Sequence, residues 1–228
     1  MVEKIDVHNI TKKFEKCKST FKKDPYINAE NKKLILDFLK DCEEGRTIRN
    51  KAKKKIGVKR CYRLLDMLKL FSKIVQKPFT KLTQEELEKL ILDFEKDKFQ
   101  KGEYTTFAIR KGDYSDSTKT SYKIGLRKFG HWLKEKNLVN WDFSFMETYE
   151  EPKEIPALTR EEVEKIVSRS PYVRDRALIM ALFDGGFRIE ELLNVRINDL
   201  TDENKTFKVR IKHGTSKTTG RTVALPLA

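Results

Sequence analysis

Apolar residues return at helical spacing through most of the first 140 positions. Leu34, Ile35, Phe38 and Leu39 share one face of a helix that begins after Asn28 and breaks at Gly45. Tyr62, Leu64, Leu65, Leu68, Phe71, Ile74 and Val75 mark a longer helix that stops near Pro78. Thr83 and Glu86 have the spacing of a capping box and open a third helix, with Leu87, Leu90, Ile91 and Phe94 on its face. Residues 102–114 read as irregular. Ser117-Thr118-Lys119 then starts a helix bearing Tyr122, Leu126, Phe129, Trp132 and Leu133. An aromatic stripe at this spacing predicts core packing. Residues 1–25, polar and rich in lysine, read as a basic arm or a first short helix.

The pattern changes beyond residue 140. Residues 141–157 read as a linker, because Pro152 and Pro156 stand among acidic residues without a periodic apolar face. Thr159 and Glu162 form a second capping-box pattern before Val163, Ile166 and Val167. Arg174-Asp175-Arg176 opens a helix in which Ala177, Leu178, Ile179, Ala181, Leu182 and Phe183 are almost continuously apolar, which predicts burial on most sides. Residues 207–211 and 222–225 alternate like paired strands. The expected fold is mainly α with a small β-hairpin or sheet. Its expected divisions are an arm (1–25), a helical domain (26–140), a linker (141–157) and an α+β segment (158–228).

Charge adds a second division. The chain carries a net charge of +14. Residues 1–140 hold 35 Lys and Arg against 20 Asp and Glu, a net of +15, and residues 141–228 hold 14 against 15, a net of −1. A basic N-terminal part of this kind favours a polyanion, and nucleic acid is the leading partner class. Its densest cluster is Lys51, Lys53, Lys54, Lys55, Lys59 and Arg60, with no acid among them. Lys119, Lys123, Arg127 and Lys128 are expected on an outward face of the fourth helix, within reach of phosphates. Apolar runs fall short of a membrane span and the N-terminus lacks a signal-peptide core, so a cytoplasmic protein with no membrane partner is expected. Cys17, Cys42 and Cys61 are isolated, and His8, His131 and His213 are far apart in sequence. Neither a disulfide framework nor a metal site is predicted. No phosphate-cradling G-x-x-x-x-G-K-[ST] loop is present, and no cofactor is expected.

One stretch carries chemistry. Asp184-Gly185-Gly186-Phe187-Arg188-Ile189-Glu190-Glu191-Leu192 places an arginine after a glycine pair, with a carboxylate one helical turn on. A planar guanidinium in such a place suits a phosphate, because it can meet two oxygens at once. Ser216-Lys217-Thr218-Thr219-Gly220-Arg221 lies between the two expected strands. Together with Asn194-Val195-Arg196-Ile197-Asn198-Asp199-Leu200, these motifs resemble the front of the catalytic domain of the tyrosine recombinases, the phage-type integrases. The pattern S-T-K-x-x-Y-x-x-x-L-x-x-F-x-x-W-L at residues 117–133 is similar to the end of that family's core-binding domain.

The resemblance implies a helical SAM-like core-binding domain followed by a truncated α+β catalytic domain. It also implies double-stranded DNA as partner and no metal or nucleotide cofactor. Arg188 matches the family's first catalytic arginine and Glu191 its acidic position. Lys217 matches the lysine that protonates the leaving 5′-oxygen, with Lys212 as the competing candidate. Arg221 is expected among the DNA-contacting residues. The family continues with H-x-x-R and a tyrosine nucleophile that forms a 3′-phosphotyrosyl link. These are absent after Lys217, so this chain alone is expected not to cut DNA. A complementing C-terminal half, or the family's tetrameric assembly on DNA, are the implied protein partners. A non-catalytic DNA-binding protein that occupies recombination sites is the alternative, and a basic RNA-binding module a third reading that lacks a supporting motif.

Overall fold

Among the described residues up to 148, the apolar faces of the helices pack into one core. The computed structural model describes residue 6 and residues 9–47, 55–97, 114–148, 154–203, 206–212 and 220–226. Helices α1 (Ile10–Lys23), α2 (Ala29–Glu44), α3 (Val58–Val75), α4 (Gln84–Glu95) and α5 (Asp116–Glu135) lie in one compact unit, Asn9–Pro152. Caps fix where they begin. The Asn28 side chain accepts from Asn31 N at 2.8 Å, Thr83 and Glu86 cap each other, and Ser115 accepts from Thr118 N. Gly45, at φ 79°, ends α2 in the left-handed conformation.

Helix α3 is the hub: α1, α2 and α5 pack on it, and α4 packs on α5. The stripe on α5 turns inward as its spacing predicts, with Leu126, Phe129, Trp132 and Leu133 buried. Phe129 stands edge-on to Phe38 at 5.2 Å and to Phe79 at 5.3 Å. Two buried polar side chains tie distant parts of the unit together. Asn31 donates Nδ2 to Lys77 O at 2.9 Å and accepts Phe79 N–H at 2.8 Å, while Trp132 donates Nε1 to Asp41 at 2.9 Å.

Residues 1–25 take the helical one of their two sequence readings, and residues 141–157 differ from theirs. Within residues 1–25, α1 buries Phe14 and Phe21 against the core, so its lysines ride on a packed helix. Within 141–157, Trp141, Phe143 and Met146 are buried, and Trp141 donates Nε1 to Leu82 O at 2.9 Å. That stretch packs through isolated aromatic residues on irregular backbone, which leaves no period to read.

The second unit, whose body is Lys153–Ala228, holds α6 (Arg160–Arg169), α7 (Val173–Gly185) and α8 (Ile189–Leu192). After α8 come a 3-10 turn at Ile197–Asp199 and strands β1 (Leu200–Glu203), β2 (Thr206–Ile211) and β3 (Arg221–Pro226). The sheet is antiparallel in the order β1-β2-β3, with Phe207 opposite Leu225 and Val209 opposite Val223. Phe187, Val209 and Ile211 form its core, joined by Leu182, Leu192, Val195, Leu200, Val223 and Leu225. Helix α7 departs from expectation, for none of its residues is buried and Phe183 is 38% exposed. Its apolar surface runs all the way round, while α6, α8 and β3 meet it along part of that surface only. Continuous apolarity reports what a helix can bury, and packing decides how much it does.

Candidate active site

The glycine pair builds the corner on which the site stands. Gly186, at φ 57°, ends α7 in the left-handed region and donates its N–H to Leu182 O at 3.1 Å. At Gly185 a Cβ would lie 2.2 Å from the Phe187 ring. Its absence lets the ring fold back under the helix end and enter the core. The chain then turns, and Arg188 becomes the residue that precedes α8.

Glu191 organises the turn beyond the glycines. It sits one turn into α8, only 2% exposed, and its carboxylate reaches back. Oε2 accepts the Arg188 backbone N–H at 3.1 Å, and Oε1 accepts Arg188 Nη1 at 2.9 Å. Arg221, the first residue of β3, completes the cluster: Nη1 meets Oε1 at 3.2 Å and Nη2 meets Oε2 at 2.8 Å. That bond to Glu191 raises the Arg221 guanidinium above its ordinary pKa. The Arg188 side chain stays 51% exposed, so a fixed positive charge faces solvent at the end of α7.

Asp199 repeats the arrangement at smaller scale. It is 5% exposed, accepts the Arg196 N–H at 3.2 Å, and pairs with Lys212 just beyond β2. The hydrogen bond from Lys212 holds its carboxyl below the usual range. Lys212, the competing lysine, is therefore committed to Asp199. Lys217 lies outside the described residues. Arg188, Glu191 and Arg221 come together as a cluster.

Sequence reasoning put Arg221 among the DNA contacts, with no sign of its partner. Glu191 and Arg221 are 30 residues apart, and the packing of α8 with the sheet in one core brings them together. Asp199 was likewise missed, although its distance from Arg196 repeats that of Glu191 from Arg188.

The basic residues divide into two kinds. Lys51, Lys53 and Lys54 lie outside the described residues, whereas Lys55, Lys59 and Arg60 are exposed where the chain enters α3. On α5, Lys119 donates to Glu95 O at 2.8 Å and pairs with Asp97. Lys123, 8% exposed, meets Glu95 at 2.6 Å, and Arg127 donates to Met146 O. These three side chains tie α5 to its neighbours. The signal was available: positions 119, 123 and 126 lie on one face, the one that carries the buried stripe. Arg127 and Lys128, with His131, Trp132, Glu135 and Thr47, also line a groove of about 320 Å³. The His131 ring packs 5.1 Å from Phe143.

Among the described residues, no group of three or more His, Cys, Asp and Glu is arranged to hold a metal ion. None of their helices is long and apolar enough to cross a membrane.

Residues 156–228 match the Phage integrase family. Among curated proteins, the chain is 32% identical over 113 residues to Tyrosine recombinase XerA of Pyrococcus horikoshii, covering 42% of this chain and 40% of that protein. It is 36% identical over 78 residues to the XerA of Pyrococcus furiosus, covering 33% of this chain and 26% of the relative. The matched region thus spans less than half the length of these relatives. Among solved structures, the chain is similar to the XerH site-specific recombinase bound to palindromic difH substrate in a post-cleavage complex. That likeness has a TM-score of 0.49 at 17% identity, over 98% of this chain and 67% of the other.

Proposed function

We propose that this chain is a member of the tyrosine recombinase family that binds duplex DNA in the cytoplasm and supplies part of a strand-breaking and rejoining site. Arg188 holds the scissile phosphate, Glu191 orients Arg188, and Lys217 protonates the leaving 5′-oxygen. Strand cleavage runs through a 3′-phosphotyrosyl intermediate, with the tyrosine and the second arginine supplied by the remainder of the family's catalytic domain. A complementing C-terminal half would complete that machinery, and the family's tetramer on two DNA sites is the assembly in which it would act.

The observation that carries this reading is the Arg188–Glu191 pair. A buried carboxylate fixes one edge of a guanidinium whose side chain remains half exposed. A charge set in place before the substrate arrives can stabilise developing phosphate charge without reorganising. Lys55, Lys59 and Arg60 supply the sequence-independent grip, with residues 1–140 carrying all of the basic excess.

The test compares the chain's duplex affinity with strand cleavage on a recombination-site duplex once the remainder of the catalytic domain is supplied. Arg188→Ala should lower the cleavage rate by on the order of 10²–10³-fold, as for other single donors to a reacting oxyanion. Its duplex affinity should hardly change. Joint Lys55→Ala, Lys59→Ala and Arg60→Ala changes should weaken binding first and flatten its salt slope, by about 0.9 log units for each phosphate no longer neutralised. Equal loss of binding from both sets contradicts the division of labour. Duplex binding without cleavage under any completion would favour a protein that only occupies recombination sites.

A further inference from the structure

Glu191 holds more donors than one arginine needs. An ionised carboxylate has about four lone-pair positions on two oxygens, and here four donors occupy them. Oε1 takes Nη1 of Arg188 and Nη1 of Arg221, while Oε2 takes the Arg188 N–H and Nη2 of Arg221. Arg221 has the two-pronged geometry, while Arg188 spends a single Nη1 on the carboxylate. That division decides which arginine remains available to a ligand.

A buried carboxylate attracts whichever guanidinium can meet it with two parallel bonds. Arg188 is tethered one turn away and is the obvious competitor. If Arg221 left, two acceptor positions would open beside Nη1 of Arg188, and its neighbouring nitrogen would swing in to fill them. Arg188 would then lie flat against Glu191, with its donors facing inward. We infer that Arg221 is a positioning residue: by filling Glu191 it keeps the Arg188 guanidinium turned outward, ready for a phosphate. The raised pKa of Arg221 agrees with a strong hold on the carboxylate. This inference rests on the reading of Arg188 as the phosphate-holding group, and its geometric half can be tested without any ligand.

The experiment is phenylglyoxal modification of the full chain, followed peptide by peptide by mass spectrometry, with exposed Arg169 as the internal reference. Arg188 of the unaltered chain should react readily. In Arg221→Met it should react more slowly by about fivefold, the factor expected from one further charge-assisted hydrogen bond at a half-exposed position. Arg221→Lys, which keeps the charge but loses the fork, should fall between. The decisive variant is the double change Arg221→Met with Glu191→Gln. Removing the competing charge should return Arg188 to nearly its original rate, whereas general loosening of the fold would not. Circular dichroism on each variant checks that it is folded.

Equal Arg188 rates in the unaltered chain and Arg221→Met would overturn the inference. Equal slowing in Arg221→Met and in the double variant would overturn it too, because Glu191 would then not be what captures Arg188. Adding inorganic phosphate separates the two readings. Phosphate that protects Arg188 in the unaltered chain supports its role as the phosphate holder. Absence of protection removes that role while the rate differences still report on Arg221.

Discussion

Neighbouring glycines at the end of α7 are needed for different reasons, and substitution can separate them. Gly186 takes φ 57°, with nothing within 4 Å of where a Cβ would stand. Alanine there meets only the cost of the left-handed conformation, about 1–2 kcal/mol. At Gly185 the backbone is ordinary, but a Cβ would lie 2.2 Å from the ring of Phe187, an anchor of the second core. Alanine there should cost about 1–3 kcal/mol by overpacking, partly offset by up to about 1 kcal/mol of helix propensity. The informative difference is positional. Gly186→Ala should leave the reactivity of Arg188 as it was, and Gly185→Ala should alter it by displacing Phe187 next to it. Thermal unfolding with arginine modification of both variants checks this, and identical profiles would contradict the account. At this scale the sequence was readable wherever partners lie within one helical turn. Arg188 with Glu191 could be seen, but the contact of Glu191 with Arg221 depends on the packing of α8 with β3 across 30 residues.

At the scale of elements, the hairpin of β2 and β3 is fastened on both legs. Arg221 ties β3 to Glu191, and Lys212, just past β2, ties to Asp199. Each carboxylate is buried and also caps a backbone N–H. For Asp199 the folded pKa lies below its unfolded value, chiefly because Lys212 hydrogen-bonds the charged form. A depressed carboxylate contributes stability that is present above the unfolded pKa, about 3.9, and is lost as pH falls through the lower folded value. Protection of the β2 amides, taken as exchange relative to the intrinsic rate at each pH, should therefore fall below about pH 4. Asp199→Asn should remove that acid response and make the strand less protected at neutral pH. An unchanged acid profile in the variant would show that Asp199 is not its source. The capping boxes at Thr83 and Thr159 and the stripe on α5 were legible, since each is a local pattern. Strand β1 was not, because Leu200–Glu203 is four residues long, mostly polar, and at the sheet edge. The inward set of Lys119 and Lys123 was legible from their place on the face of the stripe, because long cationic side chains can lie along a core and still reach a carboxylate.

For the whole molecule, the two units differ sharply in what they bury. Among the described residues the N-terminal core holds 27 buried hydrophobic residues and the C-terminal one holds three. Burial is the main favourable term in folding, so the C-terminal unit should unfold first. Both tryptophans, Trp132 and Trp141, are buried in the larger core, so tryptophan fluorescence reports that unit alone. Heating should therefore reduce the circular dichroism signal before the fluorescence changes. Coincident curves would mean that the units unfold together. The carboxylate shared by two arginines has a further consequence, for how such sequences diverge. Glu191 cannot shorten to aspartate and still reach both guanidiniums without a shift of α8 or β3. Positions 188, 191 and 221 should accordingly be inherited as a set across related proteins, with 221 changing only where 191 changes, while the exposed Lys59 drifts on its own.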